Sequence, residues 1–337
     1  MHLPRPRGPL SAAVIADLAG ESSGSLLGVP LPDTDVLTDG DFQLALWVLY
    51  ELHYRGFDEV PDEREWDPAL LTLRGRIEAP FEEALRRPTY DVVEHALAAS
   101  DDVADQIVAV IDEVGGPPLA SYLQRKATRD QVLDFMSQRS LYHLKESDPS
   151  SFVLARIGGR PKTALAELLH DEFGAGQPER LHADLFADAL EGCGLDPSYG
   201  AYVDMTPATS LAVNNVMSLF GLHRRLRGAA LGHLAAFETT SAVPCRRIAG
   251  GIERVGLAPV VADYFHEHVE ADSVHEQVAL RDICGSLVAD EPGVREDVLF
   301  GAASCAYLDD IAGRELLDDW QNGVRWRPDH PGLEQAS

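Results

Sequence analysis

The hydrophobic positions of this chain recur at helical spacing rather than in alternation. Ala and Leu are abundant, runs of Val, Ile and Thr are few, and no segment alternates cleanly between apolar and polar residues. Apolar residues every three to four positions indicate amphipathic helices, whereas a half-buried strand alternates with a period of two. The pattern therefore predicts an all-α protein built as a helical bundle.

The first 115 residues form the predicted N-terminal helical extension. Pro, Gly, Ser and Asp are frequent in residues 1–37, which predicts an irregular arm. A first helix follows, with Thr38 or Asp39 as its predicted cap and Gly56 as its stop. This extension carries no pattern typical of a site, so we interpret it as packing or dimerisation surface.

Proline and glycine positions set the other predicted boundaries. Pro80 is expected to bend or break the helix that starts near Pro68, and Pro244 to end a later one. GGPP at 115–118 separates the extension from a helical core, residues 116–322, and residues 323–337 are predicted to be a loose tail. Helices are also predicted over about 90–114, in two stretches within 119–145, from Pro161 to Glu172, and again from Pro178. Residues 206–241 are predicted to form two helices with a break near Gly221 or Gly228. Two last helical segments are predicted at 292–313 and 314–322.

Composition narrows the possible partners. The formal charge is −27, so most of the surface would repel nucleic acid and anionic membranes. No apolar run is long enough to cross a bilayer, and the opening MHLPRPRGPL lacks the apolar region of a signal peptide. The four cysteines form no CxxC pair and are interpreted as buried or half-buried thiols of a reducing compartment. We expect a cytoplasmic protein with no nucleic-acid or membrane partner.

One stretch, H-V-E-A-D-S-V-H, combines two imidazoles and a carboxylate at helical spacing. His268, Asp272 and His275 are four and then three residues apart, so a helix places them within roughly 60° of arc on one face. Such a set is half of a site for iron, manganese or zinc. The alternative is a solvated helix face that carries these residues by accident.

Further candidates lie on earlier helices. Glu238 follows Ala235 and Ala236, which would let a neighbouring helix approach closely; a carboxylate buried there without a partner would cost several kcal/mol. Glu172, at a helix end where the macrodipole disfavours an acid, and His182 flank the GAGQP break. The ordinary interpretation of each is structural: a solvated acid or a core histidine. We treat His53 and His233 as structural.

Together these residues supply three carboxylates and three imidazoles from separate helices. The mixture suits iron or manganese better than calcium or structural zinc. It is about the number of ligands that a two-metal centre requires. Glu179-x-x-His182 also meets part of the Glu-x-x-His template of ferritin-like carboxylate proteins, which makes Glu179 a secondary candidate.

The order of these motifs resembles the haem-oxygenase-like diiron oxidases, also called iron-containing redox enzymes. The resemblance runs through E-F-G-x-G-x-x-x-x-x-H-x-x-L-F, H-L-A-A-F-E and H-x-x-x-D-x-x-H, over roughly residues 130–315. It implies the haem-oxygenase-like fold and two Fe(II) ions per chain, with O2 as co-substrate. The implied metal ligands are Glu146, Glu172, His182, Glu238, His268, Asp272 and His275.

Two of these residues have a particular role in the resemblance. Glu146 occupies the place of an additional glutamate found in N-oxygenating members, although by itself it reads as a solvated acid before a turn. Glu238 is predicted to bridge the metals and is the residue assigned to catalysis. The resemblance further implies a small-molecule substrate and an external electron donor, and we expect a homodimer.

Several functions stay open at this stage. The favoured hypothesis is a diiron oxidase that N-oxygenates a small amine-bearing metabolite. The same site could cleave a C–C bond of an amino or fatty acid, or desaturate it. Other hypotheses are a ferritin-like metal-binding protein without an organic substrate, which should have no adjacent pocket, and an acidic helical scaffold without metal.

Overall fold

Helices form the whole described architecture. The computed structural model describes residues 1–21 and 26–324, without the side chains of residues 270–274, and no strand occurs in that part. The first seven helices are α1 (Pro9–Leu18), α2 (Gly40–Glu51), α3 (Pro68–Ala99), α4 (Val103–Val114), α5 (Leu119–Arg125), α6 (Arg129–His143) and α7 (Asp148–Leu154). The prediction of an all-α protein is confirmed.

Seven further α-helices and one π-helix complete the bundle. They are α8 (Gly159–Glu172), α9 (His182–Cys193), α10 (Ala208–Leu222), α11 (Arg227–Arg254), α12 (Pro259–Gln277), the π-helix Val278–Gly285, α13 (Ser286–Asp290) and α14 (Arg295–Gln321). Short 3₁₀ turns lie at Leu26–Gly28, Asp62–Trp66, Gly174–Gly176, Pro178–Arg180, Val203–Met205, Arg224–Leu226 and Pro292–Val294. None of the described helices combines the length and the apolar character that a bilayer span requires.

Several predicted boundaries agree with the structure. Asp39 caps α2 by accepting a hydrogen bond from the Phe42 amide at 2.8 Å, and Gly56 adopts a left-handed φ of 64° after the helix. α4 ends directly before the GGPP segment, at Val114. None of the four cysteines, all within the described residues, forms a disulfide: Cys193, Cys284 and Cys305 are buried and Cys245 is half-buried, as predicted.

The prediction of an irregular arm over residues 1–37 is wrong at α1. The Asp41 carboxylate of α2 accepts hydrogen bonds from the Leu10 and Ser11 amides at 2.8 and 2.7 Å, so the cap of α1 comes from another helix. Leu10, Val14 and Leu18 form a buried stripe at helical spacing. This stripe is visible in the sequence, whereas the remote cap is not.

Prolines do not stop the helices where we predicted. α3 continues through Pro80 and Pro88, and α11 continues through Pro244. An interior proline costs a hydrogen bond and about 3 kcal/mol, but Phe81 and Leu85 are fully buried beside Pro80. Tertiary packing therefore outweighs the local penalty.

Two other predicted boundaries are also wrong. The predicted helix 90–114 is interrupted at residues 100–102, because Asp102 accepts a hydrogen bond from the Ala104 amide and starts α4. The predicted segments 292–313 and 314–322 are one helix, α14. A Cβ at Gly313 would lie 2.4 Å from Pro117 Cγ, so this glycine provides a close contact rather than a helix break.

The N-terminal helices share a hydrophobic cluster with the core. Buried residues of α1, α2 and the first half of α3 pack with α10 and with Phe300 and Leu308 of α14. A second cluster joins α4, α8, α11 and the π-helix, and a third joins α5, α6, α9 and α12. The division at residue 115 and the dimerisation surface stay predictions.

α11 and α14 meet backbone to backbone. A Cβ at Gly232 would lie 1.8 Å from the Val298 carbonyl oxygen, and a Cβ at Gly301 would lie 1.9 Å from the Ala229 carbonyl oxygen. No side chain fits at either position without separating the two helices. The two glycines therefore allow the short distance between the axes of α11 and α14.

We predict that Gly301→Ala lowers the free energy of unfolding by about 1–3 kcal/mol, because the added methyl group overpacks the contact between α11 and α14. The matched control is Gly75→Ala on the exposed face of α3, where an added Cβ meets nothing within 4 Å. That change should stabilise the helix by about 0.5–1 kcal/mol. Urea unfolding of both variants measures the difference, and equal stabilities would contradict the backbone contact.

Candidate metal centre

Six of the seven predicted ligand residues meet in the interior of the bundle. Each is buried, with between 3% and 7% of its surface exposed. They come from the turn after α6, the end of α8, the start of α9, the middle of α11 and from α12: Glu146, Glu172, His182, Glu238, His268 and His275. The seventh, Asp272, lies on α12, and its side chain is outside the described part of the structure.

The six side chains form two adjoining groups that could each hold a metal ion. Within each group, one ligand atom per residue lies within 4.8 Å of the others. The first group is Glu146, Glu172, His182 and His268; the second is Glu172, Glu238 and His275. Glu172 belongs to both groups and Glu238 only to the second, so the bridging role assigned to Glu238 stays a prediction.

Glu172 is the carboxylate around which the two groups are arranged. One of its oxygens, Oε2, lies 3.0 Å from His182 Nδ1. The other, Oε1, lies 3.3 Å from His275 Nδ1, which is also 3.6 Å from Glu238 Oε2. The left-handed turns of Gly174 and Gly176 reverse the chain directly after Glu172, which brings the start of α9 and its His182 back to the end of α8.

Glu146 is held in the first group by three side chains. Its Oε2 lies 3.4 Å from His268 Nε2 and accepts a hydrogen bond from the Tyr264 hydroxyl at 3.0 Å. Its Oε1 lies 3.4 Å from His143 Nδ1. Glu146 is therefore buried beside the cluster and not solvated as its own sequence pattern suggests, whereas its role as a metal ligand stays a prediction.

Sequence reasoning did not select His143 and Tyr264. Both are buried, and the Tyr264 hydroxyl lies 2.6 Å from His143 Nδ1. Helical spacing could have found them, because His143 precedes Glu146 by three residues and Tyr264 precedes His268 by four. Glu179, the secondary candidate, is exposed in the 3₁₀ turn Pro178–Arg180 and belongs to neither group.

Hydrogen bonding to the backbone orients His268. Its Nδ1 lies 2.9 Å from the Tyr264 carbonyl oxygen, and a carbonyl can only accept, so Nδ1 carries the proton. Nε2 then presents a lone pair towards Glu146 and the other residues of the first group. Metal-ligating histidines are typically fixed in this way, with the remote ring nitrogen donating to a carbonyl or carboxylate.

Mutual neutralisation of acids and imidazoles governs the protonation of the cluster. Burial opposes the ionisation of Glu172, but the imidazoles of His182 and His275 lower the pKa of this carboxyl to about 2. Burial likewise opposes protonation of His275, but the carboxylates of Glu172 and Glu238 raise its pKa to about 11. The metal-free cluster is therefore charge-balanced by protons on imidazoles, which a metal ion can replace.

Geometry and donor types both fit a metal. The Nδ1 atoms of His182 and His275 are buried and face carboxylate oxygens, yet neither makes a hydrogen bond of normal direction. Nitrogen and oxygen donors thus converge on shared space rather than on each other. A mixture of imidazoles and carboxylates without thiolates favours iron or manganese over structural zinc.

A narrow cavity lies beside the cluster. Glu146, Glu172, Glu238 and His268 border it on one side, and the other lining residues are Tyr142, Ser147, Pro149, Ser150, Met217, Phe220, Ala230, His233, Leu234 and Phe237. His233, which we predicted to be structural, lies on this wall together with the polar residues Tyr142, Ser147 and Ser150.

Comparison with known proteins identifies the class. The sequence profile of the iron-containing redox enzyme family matches residues 133–310, which is more than half of the chain. The chain belongs to this family and is an oxidoreductase. Membership confirms the resemblance drawn from the motifs, and with it the haem-oxygenase-like all-α fold.

A more particular likeness is to nitrosourea synthase from Streptomyces achromogenes subsp. streptozoticus. The two sequences are 24% identical over 275 residues, which cover 80% of this chain and 58% of the synthase. The chain thus spans less than two thirds of that relative. A CADD-like protein of unknown function from Nostoc punctiforme PCC 73102 superimposes with a TM-score of 0.49 at 19% identity, over 70% of this chain and 97% of that one.

We predict that His233 makes stability depend on pH. Burial lowers the pKa of His233 to about 4, whereas an unfolded histidine titrates near pH 6.5. Unfolding therefore takes up a proton between these values, and stability present above pH 6.5 is lost as the pH falls. At pH 5 the loss should be about 2 kcal/mol.

Urea unfolding of the metal-free protein at pH 7.5 and pH 5.0 measures this loss. Between these two pH values, the free energy of unfolding of His233→Gln should fall by about 2 kcal/mol less than that of the wild type. The exposed His170→Gln serves as the control and should parallel the wild type. Parallel pH profiles for His233→Gln and the wild type would show that His233 is not a buried neutral histidine.

Proposed function

We propose that this chain is a non-haem diiron oxidase that binds two Fe(II) ions and uses O2 to oxidise a small amine-bearing metabolite. The observation that carries the proposal is the pair of adjoining buried groups that share Glu172. Family membership supports iron, and the likeness to nitrosourea synthase supports oxidation at nitrogen. An external electron donor and a homodimeric state are part of the proposal.

The ligand assignment follows the two groups. Glu146, Glu172, His182 and His268 would hold one ion, and Glu172, Glu238 and His275 the other, with Asp272 retained as the seventh ligand from the sequence prediction. Two Fe(II) ions would supply electrons for the reduction of O2. Three or four carboxylates against four positive charges leave the loaded site close to neutral, which a buried position requires.

The protein's own contribution is to fix these donors and to limit water. Tyr264 holds Glu146, and the Tyr264 carbonyl fixes the tautomer of His268. Phe237 packs against Tyr142 with ring centroids 4.9 Å apart, on the wall of the cavity beside the metals. An apolar wall keeps bulk water from the reacting atoms and strengthens the electrostatic interactions inside.

The cavity argues against the ferritin-like alternative. That hypothesis expects no pocket next to the metals and His268 turned away from them. Here His268 belongs to the first group, and the cavity opens beside it. An organic substrate is therefore the better interpretation.

The cavity wall also favours an amine over a free carboxylic acid. Among its described lining residues there is no lysine or arginine, so a substrate carboxylate would find no cationic partner apart from the metals. An amine or guanidine needs only the acceptors that Ser147, Ser150 and His233 provide. Cleavage or desaturation of an amino or fatty acid is the second candidate.

We predict that anaerobic titration of metal-free protein shows uptake of about two Fe(II) ions per chain. His268→Ala should bind one ion fewer or bind it much more weakly, because it removes a ligand of the first group only. His266→Ala is the control: it lies two residues earlier on α12 and is exposed. No uptake by the wild type, or identical uptake by His268→Ala, would overturn the proposal.

For the substrate class, we predict that amines and not acids accelerate O2 consumption by the iron-loaded protein. Matched pairs of equal chain length, such as an alkylamine and the corresponding carboxylate, are compared with a chemical reductant present. Acceleration by the carboxylate alone would favour the C–C-cleaving or desaturating alternative. Iron oxidation that no organic compound of either series accelerates would favour the ferritin-like one.

A further inference from the structure

The turn that carries Glu146 contains a second buried charge. Lys145, its neighbour in sequence, is 1% exposed, and its ammonium Nζ lies 3.0 Å from Oε2 of Glu51 on α2, which is fully buried. The Tyr199 hydroxyl donates a hydrogen bond of 2.7 Å to the same oxygen. Lys145 thus faces the N-terminal helices, whereas Glu146 faces the metal groups.

Aromatic rings enclose the Lys145 ammonium. Its Nζ lies 4.1 Å from the centroid of the Tyr54 ring and 5.8 Å from that of Tyr199. Each ring presents its negative face to the cation. A fully buried ion pair gives little net stability, because desolvation offsets the attraction, whereas fixing one register is its best-attested use.

A residue just after α2 makes a second contact with the turn that carries Glu146. The guanidinium of Arg55 donates a hydrogen bond of 2.9 Å to the Leu144 carbonyl oxygen. Directly after Glu146, Ser147 adopts a left-handed φ of 69°, which is unfavourable for a residue with a Cβ. Such a conformation persists only where the surroundings impose it. Residues 144 and 145 are therefore held from the end of α2 and the turn that follows it: Arg55 binds the Leu144 carbonyl, and Glu51 binds the Lys145 ammonium.

From this arrangement we propose that Glu51 and Lys145 are positioning residues that aim Glu146 at the first metal. The inference rests on the proposed function and extends it to the N-terminal segment. Tyr264, His143 and His268 hold the Glu146 carboxylate from the metal side, and the Glu51–Lys145 pair fixes its backbone from the opposite side. The N-terminal helices then belong to the metal site, although they supply no ligand.

A double-mutant cycle in metal affinity tests the proposal. Glu51→Gln combined with Lys145→Met removes both charges while keeping the volumes, and Met suits a site between two aromatic rings. This pair of changes is made in the wild type and in Glu146→Gln. Fe(II) binding is titrated anaerobically for all four proteins, after circular dichroism has shown that each is folded without metal.

The losses of Fe(II) affinity caused by the Glu51/Lys145 changes and by Glu146→Gln are expected not to add. The combined variant should bind the first ion about 10- to 100-fold more weakly, as is usual for residues that orient a metal ligand, and bind the second ion as the wild type does. In the Glu146→Gln background the same changes should cause no further loss. Glu78→Gln, which perturbs the nearly buried Arg74–Glu78 pair away from both groups, should leave both affinities unchanged.

Two results would overturn the proposal. One is wild-type affinity for both ions in the combined variant, and the other is the same fold-loss with and without Glu146. If the combined variant does not fold, Arg55→Ala takes its place in the cycle. Arg55 is half exposed, and its loss removes the hydrogen bond to the Leu144 carbonyl together with the contacts to Asp148 and the Tyr199 ring, while the Glu51–Lys145 pair stays. Absence of iron uptake by the wild type would instead be a failure of the proposed function.

Discussion

The structure depends on charge neutralisation inside the bundle. Glu146, Glu172 and Glu238 are too deeply buried to remain ionised without cations next to them, and the imidazoles of His182 and His275, whose pKa values are raised, supply counter-charge that a metal ion can replace. No single helix could satisfy this requirement. The turn after α6 and the helices α8, α9, α11 and α12 must therefore meet at one point, and the loops and glycine turns that connect them serve that convergence.

The residues of the candidate metal centre were more predictable from the sequence than the boundaries of the helices. His268 and His275 share a helix face by spacing alone, and Glu238 stands among alanines that signal close packing. The sequence pattern around Glu146 does not mark it as a ligand, since it resembles a solvated acid before a turn. Only the family resemblance makes it a candidate. The partners that fix it, Tyr264 and His143, follow helical spacing and were detectable in principle.

Long-range contacts explain what the sequence could not show. The cap of α1 comes from Asp41, some 30 residues away, and Glu51 is separated from Lys145 by 94 residues. The prolines at 80, 88 and 244 lie inside helices because packing outweighs a local penalty. Local preference is a weak guide wherever a helix is long and well covered.

The contact of α11 with α14 through Gly232 and Gly301 has a consequence for how relatives of this protein can diverge. Because the two backbones touch, the space between these helices cannot widen or narrow gradually as substrates change. Variation in substrate size must come from side chains that project from α10 and α11 into the cavity, such as Met217, Phe220 and the small Ala230. The scaffold fixes the position of the candidate metal centre, and a few exchangeable side chains decide how much room is left in front of it.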